Sequence, residues 1–208
     1  MSGNLTHRIC PPRWETEIAA WDSDSASPPT DSVVLLDELG KPVGTAPRES
    51  VHDHRTPLHL AFSCYVFDGE GHLLVTRRAL SKRTWPGVWT NSFCGHPRPG
   101  EDVEDAVRRH ARGELDLEVT NIRPLLPDFR YRAVDASGVV EHEVCPVFTA
   151  RTSRVPQPNP SEVMDLAWTT TQELQAAVTA APWALSPWLV EQMGQLDSTA
   201  LDRAARAH

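Results

Sequence analysis

Two glutamates, Glu141 and Glu143, stand two residues apart in a segment rich in valine (Val139, Val140, Val144, Val147), with His142 between them. In a strand this spacing puts both carboxylates on one face and the imidazole on the other. Like charges held that close raise each other's pKa or recruit a cation, which suits a metal site or general acid chemistry. The plainer alternative is the solvated outer face of an edge strand. Glu114 poses a related problem, because helical spacing places it on the same face as Val103, Val107 and His110. A carboxylate there must be protonated, ion-paired or metal-bound, and a salt bridge to a neighbouring arginine is the simple solution. Three of the nine histidines, His52, His59 and His96, stand beside expected strand ends or loops, where imidazole can reach a metal. With the Glu-x-Glu pair they make a nitrogen and oxygen set suited to Zn, Mn or a similar divalent ion, although their scatter in sequence leaves convergence open. Cys94 precedes Gly95-His96 in a loop dense with aromatic residues; a single cysteine is more often a small buried apolar residue than a reactive one. Arg77, Arg78, Lys82 and Arg83 form the strongest basic cluster, able to hold a diphosphate or simply to line a solvated loop.

These residues need elements to position them. The apolar run 32–37 opens the domain, and residues 60–68 and 72–77 are β-rich runs joined across Asp68-Gly69-Glu70-Gly71, a hairpin signature. A loop rich in Trp, Pro and Gly (85–89) leads to a short strand near 90–94 and a turn through 95–100. From 101 to 115 the apolar positions Val103, Ala106, Val107, Ala111 and Leu115 recur at helical spacing, with Glu104, Asp105, Arg108, Arg109 and Arg112 opposite. Strands are predicted at 129–132 and 139–150, with a further edge at 163–169. In the C-terminal helical region Ser186 is a plausible N-cap with Pro187 in the first helical position. The order strands, helix, strands, helices predicts an α/β fold with a mixed β-sheet sandwiched by helices, in one compact domain over 31–208. Residues 1–30, with Pro11, Pro12, Pro28 and Pro29 among Ser and Asp, read as a poorly ordered extension.

Composition narrows the function further. The formal net charge of −8 repels nucleic acid and anionic membranes, so an anionic substrate needs local cations or metal ions. No apolar run approaches the roughly 20 residues of a membrane span. Four widely spaced cysteines without a CxxC pair argue against a zinc ribbon or a disulfide framework and fit a reducing cytoplasm.

Several stretches together resemble the type I isopentenyl diphosphate isomerases of the Nudix superfamily. They are Leu58-His59-Leu60-Ala61-Phe62-Ser63, the run from Leu74 through Arg77-Arg78-Ala79-Leu80-Ser81-Lys82 to Trp85-Pro86-Gly87-Val88-Trp89-Thr90-Asn91-Ser92, Cys94-Gly95-His96-Pro97, Asp128-Phe129-Arg130-Tyr131, Glu141-x-Glu143-Val144-Cys145-Pro146-Val147-Phe148 and Ser186-Pro187-Trp188. The resemblance covers about residues 32–195. It implies a Nudix-type fold and a metal site of His52, His59, His96, Glu141 and Glu143, holding Mn²⁺, Mg²⁺ or Zn²⁺. It also implies a catalytic thiol at Cys94, a second catalytic group at Glu143 and an assisting Tyr131. A Mg²⁺ bound with the substrate diphosphate is implied at Glu114 and the Cys94 backbone carbonyl. Arg48, Arg78 and Lys82 become diphosphate contacts, and Trp188 lies over the hydrocarbon. Arg48 stands where a lysine is usual, keeping charge but not geometry, and His110 stands where an arginine is usual. The implied reaction moves the double bond of isopentenyl diphosphate to give dimethylallyl diphosphate, in isoprenoid biosynthesis. The alternative is a Nudix-type diphosphate hydrolase: Gly95, Glu101, Arg109 and Glu114 fit the hydrolase box, but His110 and Gly113 replace two of its glutamates. The resemblance implies a soluble enzyme with a small-molecule diphosphate as its partner, without nucleic acid or membrane insertion, as a monomer or homodimer.

Overall fold

The computed structural model describes residues 31–197 and 199–206; the expected extension 1–30 lies outside the described residues. Twelve strands among them form two sheets. Strands β1 (Ser32–Leu36), β2 (Pro42–Pro47), β3 (His59–Leu60), β9 (Arg130–Val134) and β10 (Val140–Val144) make one, in the order β2-β1-β3-β10-β9. The other contains β4 (Phe62–Phe67), β5 (Leu73–Arg78), β8 (Thr120–Leu126), β11 (Val147–Arg151) and β12 (Val163–Thr169), in the order β12-β5-β4-β11-β8, with β6 (Trp89–Thr90) on β5 and β7 (Phe93–Gly95) on β4. The mixed sheet foreseen from sequence is thus divided in two, and β12 is the expected edge.

The division falls inside two of the predicted strands. Residues 139–150 break at Cys145-Pro146: β10 pairs β3 in parallel in the first sheet, and β11 pairs β4 in parallel in the second. Proline lacks the N–H that a ladder needs, and here the Pro146 carbonyl accepts from Ser63 N while Cys145 N donates to the Phe129 carbonyl. The neighbouring segment changes sheets at the same level, through Ala61, whose N–H bonds the Val144 carbonyl.

Because β4 is buried on both faces, its sequence reads as an apolar run broken only by Ser63. Phe62, Cys64 and Val66 face one core, together with Val103, Ala106, Val107, Ala111 and Leu115 of helix α2 (Val103–Leu115). Tyr65 and Phe67 face a second core, with residues of α3 (Thr171–Ala180), α4 (Pro187–Gln195) and α5 (Ala200–Arg206). A one-turn helix, α1 (Arg48–Val51), follows β2. Val103, Val107 and Leu115 each contribute about 1.5–3 kcal/mol on burial. Helix α2 begins at Val103 because Asp102 caps it, accepting from Glu104 N and Asp105 N. Among the described residues no helix is long and apolar enough to cross a membrane.

The foreseen hairpin closes at Phe67 and Leu73, with the Asp68 carboxylate receiving Glu70 N and His72 N. Beyond that pair β4 and β5 part, and the 89–95 segment enters between them. Ser92 Oγ fills the gap, donating to the Leu74 carbonyl at 2.6 Å and accepting Val66 N at 2.7 Å. Helix α2 then crosses this segment so closely that a Cβ on Gly95 meets the His110 ring at 2.4 Å. Gly95→Ala should therefore lower stability by about 1–3 kcal/mol, the usual cost of overpacking, and Gly95→Ala/His110→Ala should recover part of the loss in chemical denaturation. A Gly95→Ala protein as stable as the parent contradicts this packing.

Candidate active site

Parallel register across the first sheet sets Glu143 beside His59, and antiparallel register on its other side sets Glu143 beside Tyr131. In-register neighbours point to the same face of a sheet, so one carboxylate is flanked by an imidazole and a phenol. From the second sheet, β7 pairs Cys94 with Ser63 and delivers His96 just past Gly95. His52, immediately after α1, completes a triangle of imidazoles with ring centroids 5.0, 5.1 and 5.4 Å apart. Ligand atoms of His52, His59, His96 and Glu143 all lie within 4.8 Å of one another.

The donor chemistry of this cluster fits a divalent cation. A carbonyl can only accept, so His59 Nδ1 donates to Pro57 O at 3.0 Å, which leaves Nε2 aimed inward. There it lies 3.2 Å from His96 Nε2 and 3.6 Å from Glu143 Oε1, while His96 Nε2 is 3.3 Å from the same oxygen. Burial drives the His96 imidazole down to about 3, against the opposing pull of Glu143. Burial also works against a charged His59, but its bond to Glu143 and that residue's charge leave it raised. For Glu143 burial disfavours the carboxylate, and hydrogen bonds from His59 and His96 outweigh it, holding the group well below the usual range. The four ligand atoms thus set one carboxylate among three imidazoles, a donor set that gains from a positive charge at its centre. His52 Nε2 is 3.0 Å from Glu141 Oε2, but out of line for a hydrogen bond, so it is a buried nitrogen with no hydrogen-bond partner. An ion among these atoms would satisfy it.

Glu141, the remaining expected ligand, stands just outside the group of four. Its Oε2 faces His52 and its Oε1 accepts from Thr84 Oγ1 at 2.7 Å. Glu114 lies across the same cavity on α2, where it is paired with His110 Nδ1 at 2.8 Å and not with an arginine.

The cavity has a volume of about 810 Å³, and Cys94, Glu143, Tyr131, Trp188, Arg78 and Lys82 all line it, as does Arg48. Arg48 Nε bonds Asp31 at 2.8 Å, and Lys82 Nζ bonds Glu162 at 2.5 Å. Arg78 donates through Nε and Nη2 to the Thr84 carbonyl at 3.1 and 2.8 Å, with its Cζ 5.3 Å from the Trp188 ring centroid. The Trp188 ring also meets Tyr131 at 5.8 Å and Trp85 edge-on at 5.4 Å. Trp85 has φ +42°, a left-handed conformation rare for so bulky a residue, and such backbone strain gathers at functional sites.

Behind Cys94 lies a buried polar network that sequence reasoning missed. The thiol donates to Asn91 Oδ1 at 3.3 Å and lies 3.2 Å from Ser63 Oγ. Asn91 is oriented by its amide, which donates to the carbonyls of Cys64 and Phe93, and its oxygen also accepts Trp188 Nε1. Gln192 donates to Ser63 Oγ at 2.9 Å and accepts from Tyr65 OH at 2.8 Å. The one usable signal was position: Gln192 is four residues after Trp188, on the same face of α4. Burial raises the Cys94 thiol to about 12, despite the hydrogen bonds of Ser63 and Asn91, so it keeps its proton at neutral pH. Burial and the charges of Glu143 and Glu141 hold the Tyr131 phenol well above its ordinary value.

Residues 57–189 match the model of the NUDIX domain family. An isopentenyl-diphosphate Delta-isomerase of Agromyces mediolanus is 68% identical over 160 residues, covering 77% of this chain and 78% of that protein. One of Kocuria rhizophila is 58% identical over 171 residues, covering 82% of this chain and 94% of that protein. Among solved structures, DR0079 of Deinococcus radiodurans superimposes with a TM-score of 0.62 at 25% identity, over 79% of this chain and 98% of that one. With the NUDIX match taking in His59, Cys94, Glu143 and Trp188, and with identity this high over most of its relatives' length, the chain belongs to the type I isopentenyl-diphosphate Delta-isomerases of the Nudix superfamily.

Proposed function

We propose that this enzyme isomerises isopentenyl diphosphate to dimethylallyl diphosphate in isoprenoid biosynthesis, with Cys94 and Glu143 as the two proton-transfer groups. The observation that carries the reading is their arrival at one cavity from different sheets, with Tyr131 beside Glu143 and Trp188 between the phenol and Arg78. A proton is added to the terminal alkene carbon, the tertiary cation forms at the next carbon, and a proton leaves the carbon beyond it. One group donates and the other accepts, so the two must lie on opposite sides of the substrate. A thiol that keeps its proton at neutral pH and a carboxylate held ionised by two histidines are a matched acid and base in this respect. The Trp188 face stabilises the cation, and burial excludes the water that would trap it as an alcohol.

The diphosphate is a handle that stays intact, met by Arg48, Arg78 and Lys82. His52, His59, His96, Glu141 and Glu143 would hold Mn²⁺, Mg²⁺ or Zn²⁺, and Glu114 with the Cys94 backbone carbonyl a Mg²⁺ that arrives with the diphosphate. Such ions supply positive charge beside Glu143 and across the phosphate oxygens. Three free thiols, Cys64, Cys94 and Cys145, support a reducing cytoplasm as the setting. Against diphosphate hydrolysis stands the box itself: Glu101 is locked to Arg109 through two bonds of 2.7 and 2.6 Å, and Glu114 is left with His110.

Incubation with isopentenyl diphosphate and a divalent ion in deuterated water should yield dimethylallyl diphosphate carrying deuterium; release of phosphate instead would refute the assignment. Cys94→Ala and Cys94→Ser should each remove most turnover while leaving fold and metal content unchanged, because a serine hydroxyl is far too weak an acid for this transfer. Near-normal turnover in Cys94→Ser ends the role given to the thiol. Stripping divalent ions with EDTA should lower the melting temperature, and Mn²⁺ should restore it; at free ion one hundred times Kd the gain is about 2.7 kcal/mol. A melting temperature indifferent to both treatments argues against the His/Glu metal site.

A further inference from the structure

We infer that Thr84 is a positioning residue for the metal centre, its hydroxyl holding Glu141 so that one carboxylate oxygen alone is presented to the ion. The inference rests on the metal reading of the His/Glu cluster and goes beyond it by naming what aims the fifth ligand. Thr84 is 4% exposed and sits in the 79–87 loop, whose base is closed by Gly87 N and Arg78 N bonding the carbonyls of Arg78 and Val88. Its single hydroxyl hydrogen goes to Glu141 Oε1 at 2.7 Å, the shorter of the two contacts that carboxylate makes. Glu141 Oε2 is thereby left toward the unbonded His52 Nε2. Without the Thr84 donor the carboxylate is free to rotate, or to turn both oxygens inward, at the cost of its ordered geometry.

The donor direction at this hydroxyl is fixed from behind. Arg78 Nη2 donates to Thr84 Oγ1 at 3.2 Å, and Arg78 also donates to the Thr84 carbonyl through Nε and Nη2. A guanidinium never accepts, so the hydroxyl accepts from Arg78 and can give its hydrogen only to Glu141. Thr84 is therefore the one side chain among the described residues that bonds both a cation lining the phosphate side of the cavity and a carboxylate of the metal cluster. The strained Trp85 follows directly, with its ring against Trp188, and anchors the loop on the other side.

The test uses the full chain and Mn²⁺ alone, with affinity measured by calorimetry and the EPR signal of free ion. Thr84→Val keeps the shape and removes the hydroxyl; Thr84→Ser keeps the hydroxyl and removes the methyl. We expect Thr84→Val to weaken Mn²⁺ binding by about 10–100-fold, the usual effect of losing a ligand's supporting hydrogen bond, and Thr84→Ser to stay close to the parent. In a Glu141→Gln background, Thr84→Val should add nothing further. Thr84→Ala serves in place of Thr84→Val if the valine variant does not fold. Parent-like affinity in Thr84→Val, equal losses in the Val and Ser variants, or additive losses with Glu141→Gln would each overturn the inference while leaving the metal site standing. A folded parent protein that takes up no Mn²⁺ overturns the metal reading, and this inference with it.

Discussion

Two neighbouring chain segments change sheets side by side, and everything at the site depends on that shared crossing. Parallel pairing holds β3 against β10 on one side and β4 against β11 on the other, with Ala61 and the Cys145-Pro146 step at the seam. Side chains before the seam, His59 and Glu143, belong to the first sheet; those after it, such as Ser63, support Cys94 in the second. The split brings the thiol and the carboxylate to a common cavity from different sheets, as the proposed addition and removal of protons at different carbons would require. The same crossing buries Glu143, and a buried carboxylate persists only with charged or hydrogen-bonding partners. The histidines are thus structural necessities as well as candidate ligands.

Helix α4 performs the matching task for the thiol. Ser186 at its cap bonds Thr90, Trp188 bonds Thr90 and Asn91, and Gln192 bonds Ser63 and Tyr65. Ser186 and Trp188 thus reach the segment that carries Cys94 and Gln192 reaches β4 beside it, each fully or almost fully buried. Because the Gln192 amide gives to Ser63 and takes from Tyr65, the path from Tyr65 to Ser63 has one donor direction. A network of this kind rigidifies when every member is satisfied and destabilises when one is lost.

What the sequence made legible follows the physics of each element. Helix α2 was readable because its apolar positions obey a strict period, and the Ser186-Pro187 start of α4 because a cap is a local signal. The break in 139–150 was hidden by apolar residues on both sides of it, with Pro146 the only local warning. Strands β2 and β8 escaped notice because exposed edge strands containing Pro42, Pro47 and Pro124 carry little alternation. At the site, spacing alone placed Glu141 and Glu143 on one face, but the meeting of His52, His59 and His96 is tertiary and has no local periodicity; only the resemblance to known isomerases brought them together. For Glu114 the local argument was right that a partner must exist and silent on which: it is His110, one turn away, not an arginine.

The cavity's electrostatics resolve the difficulty posed by a net charge of −8. Three of its cations are already engaged: Arg48 is held by Asp31 and Lys82 by Glu162, while Arg78 is spent on the Thr84 carbonyl and the Trp188 face. Each pairing keeps a long basic side chain extended toward the same volume, so much of the rotamer entropy is already lost before a ligand enters. The diphosphate proposed to bind here would therefore exchange with carboxylates that are themselves partly exposed and return readily to water, in place of desolvating isolated cations. Exchange favours a ligand only if it brings more charge per contact than the carboxylate it displaces. On the proposed reading a diphosphate would do so and a monocarboxylate would not, and these internal ion pairs would then select for charge density in an otherwise acidic protein.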